Sequence, residues 1–287
     1  MNDTLYIIGN GFDLNHGLRT SYINFFQDYI KSKAQRIKND LEALYGTEMH
    51  ENIWWSRFEH QLGQVNFEHL IQSPTKQVTK IVQNNIRDLL HANLPLFFGE
   101  WINSINQKIS SLKLDKRTDV KQDAYFFTFN YTTLLEDLYK IPLDNIVHIH
   151  NSIKDFNKGE PIIVGHRTSW KKLEEFSEKY RSIGIDSSYI DDVNIVISQN
   201  TKNIVKQLEI YGEKIAQYSD IKHYIIMGFS LNEIDKPYME EIIKVNRNID
   251  AADWTFYYHK DEEKSLFMEN LLKLGVKQEN INKPIQW

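Results

Sequence analysis

Short runs that are apolar at every position punctuate this chain, and between them apolar residues recur at helical spacing. Leu5-Tyr6-Ile7-Ile8 is continuous rather than alternating and stops at Gly9-Asn10-Gly11. A strand apolar on both faces belongs in a parallel sheet covered by helices on both sides. Ala124–Thr128, Asn145–Ile149 and His223–Met227 have the same character, and Pro161–Val164 and Trp254–Tyr258 are further strand candidates. From Ser21, a candidate N-cap, the residues Phe25, Phe26, Tyr29, Ile30, Ile37, Leu41 and Leu44 fall roughly on one helical face. Trp54, Trp55, Phe58 and Leu62 repeat that spacing. Ser73-Pro74 reads as a cap and first helical proline opening a helix toward Leu90. A helix is predicted from Leu96 into Leu112, and Ile204, Leu208, Tyr211, Ile215 and Tyr218 mark a later one.

Strands separated by helices predict an α/β fold. The stretch between the first strand and Ala124–Thr128 is far longer than one crossover needs. We therefore read 1–287 as a single α/β domain with a large helical insertion at about 21–121 and a second helical segment at about 169–220.

Composition narrows the class. An apolar fraction of 41% and a charged fraction of 25% over 287 residues belong to an ordinary globular protein. The net charge of −5, with basic residues scattered among acidic ones, lacks the one-signed field of a dedicated nucleic-acid binder. There is no cysteine, which excludes disulfides and thiolate metal sites. No apolar run approaches membrane-spanning length and the N-terminus leads straight into a strand, so a cytoplasmic protein without a membrane partner is expected.

The candidate chemistry lies at the strand ends: Gly9-Asn10-Gly11-Phe12-Asp13, Phe129-Asn130-Tyr131-Thr132, His150-Asn151-Ser152 and Gly228-Phe229-Ser230. In an open parallel sheet the carboxyl ends of the strands line one edge, and ligands bind in the crevice there. Gly9 and Gly11 suit a turn whose amides approach a pyrophosphate, with Gly17 as a displaced third glycine, or else a plain strand-to-helix turn. Asp13 is placed to bond ribose hydroxyls or to cap a turn. Asn130 follows an apolar strand and suits a ribose hydroxyl or a water, or an Asx-type cap for a helix starting near Thr132. His148 and His150 share a face if the strand stays regular; His150 suits a general base and His148 a core residue. A metal reading would add Asp155 and His166 to the two histidines, but no diagnostic ligand spacing supports it. Gly228 and Ser230 suit an anion or ribose at a helix entrance, and the segment is not a nucleophile elbow because Asn232 replaces its second glycine. Glu59, beside Trp54-Trp55, is expected at a surface helix position.

The opening Leu5–Leu18, with Thr20-Ser21-Tyr22, resembles the AbiH family of phage abortive-infection proteins, as do Trp54–Glu59, Phe127–Thr132, His148–Asn151 and Gly228–Asp235. That family is in turn similar to sirtuin-like NAD-binding domains, including ones that hydrolyse NAD. The resemblance implies a Rossmann-like (sirtuin-like) sheet and NAD as ligand or substrate, with no metal. It implies a glycine loop at Gly9, Asn10, Gly11, Phe12 and Asp13, ribose and water contacts at Asn130, and a catalytic base at His150. It places Gly228, Ser230 and Asp235 on the cofactor, with the glycine-serine turn near its adenosine half. Asn151 stands where sirtuins carry glycine. Deacylation is not expected without zinc-binding cysteines.

The expected function is therefore an abortive-infection effector that hydrolyses NAD to nicotinamide and ADP-ribose. A sensor that binds NAD or ADP-ribose without turnover and a metal-dependent nuclease are the alternatives. A homo-oligomer and a phage-derived or partner-protein trigger are compatible with the same sequence.

Overall fold

The structure, a computed structural model, describes residues 2–46, 50–64, 93–109, 114–168 and 170–287. The helix expected from Ser73-Pro74 lies outside the described residues, as does the end of the one expected to reach Leu112. Two compact units are present: Met1–Thr20, Ile102–Glu160 and Asn203–Trp287 form one, and Ser21–Trp101 with Pro161–Lys202 form the other.

The first unit carries a parallel sheet of strands β1 (Thr4–Ile8), β2 (Tyr125–Thr128), β3 (Ile146–His148), β4 (His223–Met227), β5 (Asp253–Tyr258) and β6 (Ile285–Gln286). Their order is β3-β2-β1-β4-β5-β6 and every pairing is parallel, a Rossmann-like α/β arrangement. The order reverses between β1 and β4, which makes that junction the topological switch point. The register aligns Ile8 with Thr128 and Met227, and Thr128 with His148, so these strands stop at one level. Leu5, Ile7, Phe127, Val147, Tyr224, Ile226, Trp254 and Phe256 fill one face beneath Tyr238, Met239, Ile242, Phe267 and Leu271. Each such fully buried side chain contributes roughly 1.5–3 kcal/mol. Tyr6 and Phe126 stack 4.8 Å apart on the other face.

Past the strand ends the β1 and β4 turns touch backbone to backbone. Gly9 N–H donates to Met227 O at 3.0 Å, and Gly11 N–H to Gly228 O at 2.8 Å. A Cβ on Gly9 would stand 2.5 Å from Gly228 O, and one on Gly228 2.1 Å from Phe12 N. Gly228 is also left-handed, with φ +65°. Gly17 (φ +81°) instead ends the helix Asn10–Asn15 in the left-handed position that follows many helices.

The second unit is helical, and its elements are shorter than the hydrophobic spacing suggests. The stretch from Ser21 breaks into Tyr22–Phe25, a π-helical Phe26–Ile30, Lys31–Lys33 and Gln35–Tyr45. The π turn lets the adjacent Phe25 and Phe26 both be buried, and a non-helical Ala34 re-phases the chain so that Ile37, Leu41 and Leu44 follow. Trp55 stacks on Phe58 at 4.9 Å and on Phe26 at 4.7 Å. Pro161–Val164 is not a strand: its proline has no N–H to donate, and the chain next to it makes only an isolated bridge, His166 to Thr201. Glu59 is buried rather than on the surface, in a 2.8 Å ion pair with Lys202.

Gly228→Ala is expected to cost at least about 2 kcal/mol in urea unfolding, from overpacking and left-handed strain together. Gly17→Ala, whose Cβ meets nothing within 4 Å, is expected to cost only the conformational part, about 1 kcal/mol.

Candidate functional site

The polar residues following β1, β2 and β3 meet at the carboxyl edge of the sheet. Asp13, 1% exposed, accepts hydrogen bonds from Asn130 Nδ2 at 2.9 Å and from Thr132 Oγ1 at 2.7 Å. It is thus an orienting group for Asn130. Asn130 is 6% exposed, and its Oδ1 has no hydrogen-bond partner among the described residues. Its side chain does not cap the next helix. That helix, Leu134–Asp137, is instead anchored by Asn106 Oδ1, which accepts the Thr133 N–H at 2.8 Å.

His148 and His150 do not share a face. β3 ends at His148, and a turn closed by Asn151 N–H to His148 O redirects the chain. His148 Nδ1 donates to Asn130 O at 2.9 Å, and its Nε2 lies 3.4 Å from Glu136 Oε1. His150 packs between Phe129, Tyr131 and Tyr238, with Nε2 3.5 Å from Asp235 Oδ1. Asn151 takes φ +62°, the left-handed conformation that asparagine adopts more readily than other non-glycine residues. The turn after His150 therefore keeps a glycine-like backbone without a glycine.

The amides of Gly9 and Gly11 are already used on the β4 turn, so the close approach these glycines permit is to Met227 and Gly228. Asn10 is tied to Thr20 through both side-chain atoms, and Phe12 is a buried core residue against His16 and Tyr139. Gly228 and Ser230 line a cleft of about 260 Å³ with Phe229, Tyr257, His259 and Trp287. It opens at the switch point and is walled mainly by aromatic rings, a shape and polarity suited to a flat heterocycle. Asp235 stands beside His150 rather than in that cleft.

Other candidates are held by structural bonds. His166, in the helical unit, donates from Nε2 to Ile197 O at 2.8 Å and accepts the Thr168 N–H on Nδ1 at 2.9 Å. Burial pushes its pKa down to about 4. Asp155 closes a capping box with Ser152. Among the described residues no group of three histidines or carboxylates is placed to hold a metal.

A family model for bacteriophage abortive infection AbiH matches residues 5–258. The chain belongs to that family. No curated protein and no solved structure matches it. The AbiH match spans all the strand ends assembled here, from Gly9 through Asp235. No helix among the described residues is long and apolar enough to cross a membrane.

Sequence reasoning missed Glu136, Tyr257 and Trp287, and gave Thr132 no part beyond the start of a helix. Glu136 carried one weak signal, a carboxylate directly after two leucines in Leu134-Leu135-Glu136. Burial pushes the Glu136 carboxyl up, but the adjacent His148 imidazole, with Lys154, leaves it below its ordinary value.

Asp13 titrates unusually. Burial pushes its pKa up to about 7, against the lowering effect of Thr132, Asn130 and His148. The folded protein thus holds a proton on Asp13 that the unfolded chain releases near 3.8. The associated stability is complete below that lower value and is lost as pH rises through 7. Asp13→Asn should remove this dependence. From pH 5 to pH 8, wild type is expected to lose roughly 2–3 kcal/mol relative to the variant in urea unfolding, at about 1.4 kcal/mol per unit.

Proposed function

We propose that this AbiH-family protein binds NAD across the carboxyl edge of β1 to β4 and hydrolyses it to nicotinamide and ADP-ribose. Loss of NAD would be the effector step of abortive infection. The observation that carries this reading is the Asn130 carboxamide. It is buried, held through Nδ2 by Asp13, and left with an unpaired acceptor at the edge where such sheets bind ligands. A buried acceptor of this kind suits a sugar hydroxyl or a water.

The chemistry asks little acid catalysis of the protein. Nicotinamide leaves from a cationic nitrogen, so the electron pair of the glycosidic bond neutralises the leaving group without a proton. The site has to hold the ribose, stabilise positive charge developing at its anomeric carbon, and place a water there. Water adds its oxygen to that carbon and releases one proton. In this reading Asn130 holds the ribose or the water, and His150 takes the proton. The Asp235 carboxylate beside His150 Nε2 stabilises the imidazolium that forms. The aromatic cleft at Gly228 and Ser230 receives the adenosine half.

Purified protein is expected to release nicotinamide and ADP-ribose from NAD, and His150→Ala and Asn130→Ala to lower the rate by about 10²–10⁴-fold. Tight NAD binding without release would instead make the protein a sensor of NAD or ADP-ribose. Neither binding nor release would sink the nucleotide reading.

A further inference from the structure

We propose that Glu136, with His148, forms a second polar arm of this site and accepts a hydroxyl of the terminal ribose alongside Asn130. The inference rests on the NAD reading and adds to it a binding residue and the part of the ligand it recognises.

Glu136 is 9% exposed and His148 8%. Glu136 Oε1 faces His148 Nε2 at 3.4 Å and Lys154 Nζ at 3.5 Å. Its Oε2 has no hydrogen-bond partner among the described residues, and neither does His148 Nε2, since 3.4 Å is long for a hydrogen bond here. Asn130 Oδ1 is in the same state. These atoms belong to one connected network, because Asn130 receives His148 Nδ1 on its carbonyl and gives its Nδ2 to Asp13.

Buried polar groups with structural work elsewhere in the fold include several that are well paired. His166 uses both ring nitrogens, and His16 does too, with Phe12 O and Tyr139 Oη each at 2.7 Å. Lys202 meets Glu59 at 2.8 Å. A buried polar atom without a partner is rare in folded proteins and calls for an occupant. Here the unpaired set is a carboxylate oxygen, a carboxamide oxygen and an imidazole nitrogen. Two acceptors of this kind match adjacent hydroxyl donors on a sugar ring. A phosphate is disfavoured, because the Glu136 carboxylate supplies negative charge of the same sign.

ADP-ribose and ADP differ in the terminal ribose that only the former carries, so their affinities measured by calorimetry isolate the contacts made to that end. Wild type should bind ADP-ribose more tightly than ADP by about 10-fold or more, the range of a hydrogen bond to a charged group. Glu136→Gln and Glu136→Ala should bring that ratio close to one while leaving the affinity for ADP unchanged. His148→Asn, which retains a donor toward Asn130 O, should lower the ratio as well. If the Glu136 variants keep the wild-type ratio, or weaken both ligands equally, Glu136 is structural and the inference is overturned. If wild type binds neither ligand, the nucleotide reading itself fails and takes this inference with it.

Discussion

Gly11 donates to the carbonyl of Gly228 at 2.8 Å, and no side chain fits between the two turns. This contact closes the β1 and β4 loops onto each other at the one place in the sheet where strand order reverses. Because the strands stop in register, closing these loops also sets where Asp13, Asn130 and His148 emerge from the edge. The contact consumes the amides that a phosphate-binding glycine loop would offer. In the NAD reading proposed above, recognition therefore falls to side chains and to the aromatic cleft beside Gly228.

The second constraint is electrostatic. Asp13 is buried far from solvent and kept partly protonated near neutrality by that burial, yet it accepts from both Asn130 and Thr132. A carboxyl in that position fixes the rotation of the Asn130 amide, directing Nδ2 to Asp13 and leaving Oδ1 without a partner among the described residues. On the opposite side of the edge, His150 and Asp235 form a separate imidazole–carboxylate pair among aromatic rings. Each histidine is thus matched to its own carboxylate, Glu136 or Asp235, and each pair belongs to a different face of the sheet.

The helical unit obeys another rule. Lys202–Glu59 and His166 are buried polar groups satisfied within it, and its core is built from stacked rings of Phe26, Trp55 and Phe58. The buried ion pair costs desolvation of both partners and holds only because the geometry is short.

The sequence by itself determined the parallel α/β architecture, because wholly apolar runs such as Leu5–Ile8 and His223–Met227 can be buried only between two layers of helix. It also determined which segments carry the polar chemistry, since polar residues and glycines stand where those runs stop. Strand boundaries were legible within a residue or two for β2 to β4, whereas Pro161–Val164 misled because apolar content alone does not provide a pairing partner. What only the tertiary structure decided is which polar atoms meet. Asp13 and Asn130 lie 117 positions apart, and their hydrogen bond has no local signature. The separation of His148 from His150 depends on the turn that Asn151 N–H closes onto His148 O, which a regular period of two does not anticipate. Glu136 looked like an ordinary helical acid until the fold turned it toward His148. Patterns along a chain record burial, which is a property of each residue, while partnership between buried polar groups is a property of pairs and exists only once the sheet edge is assembled.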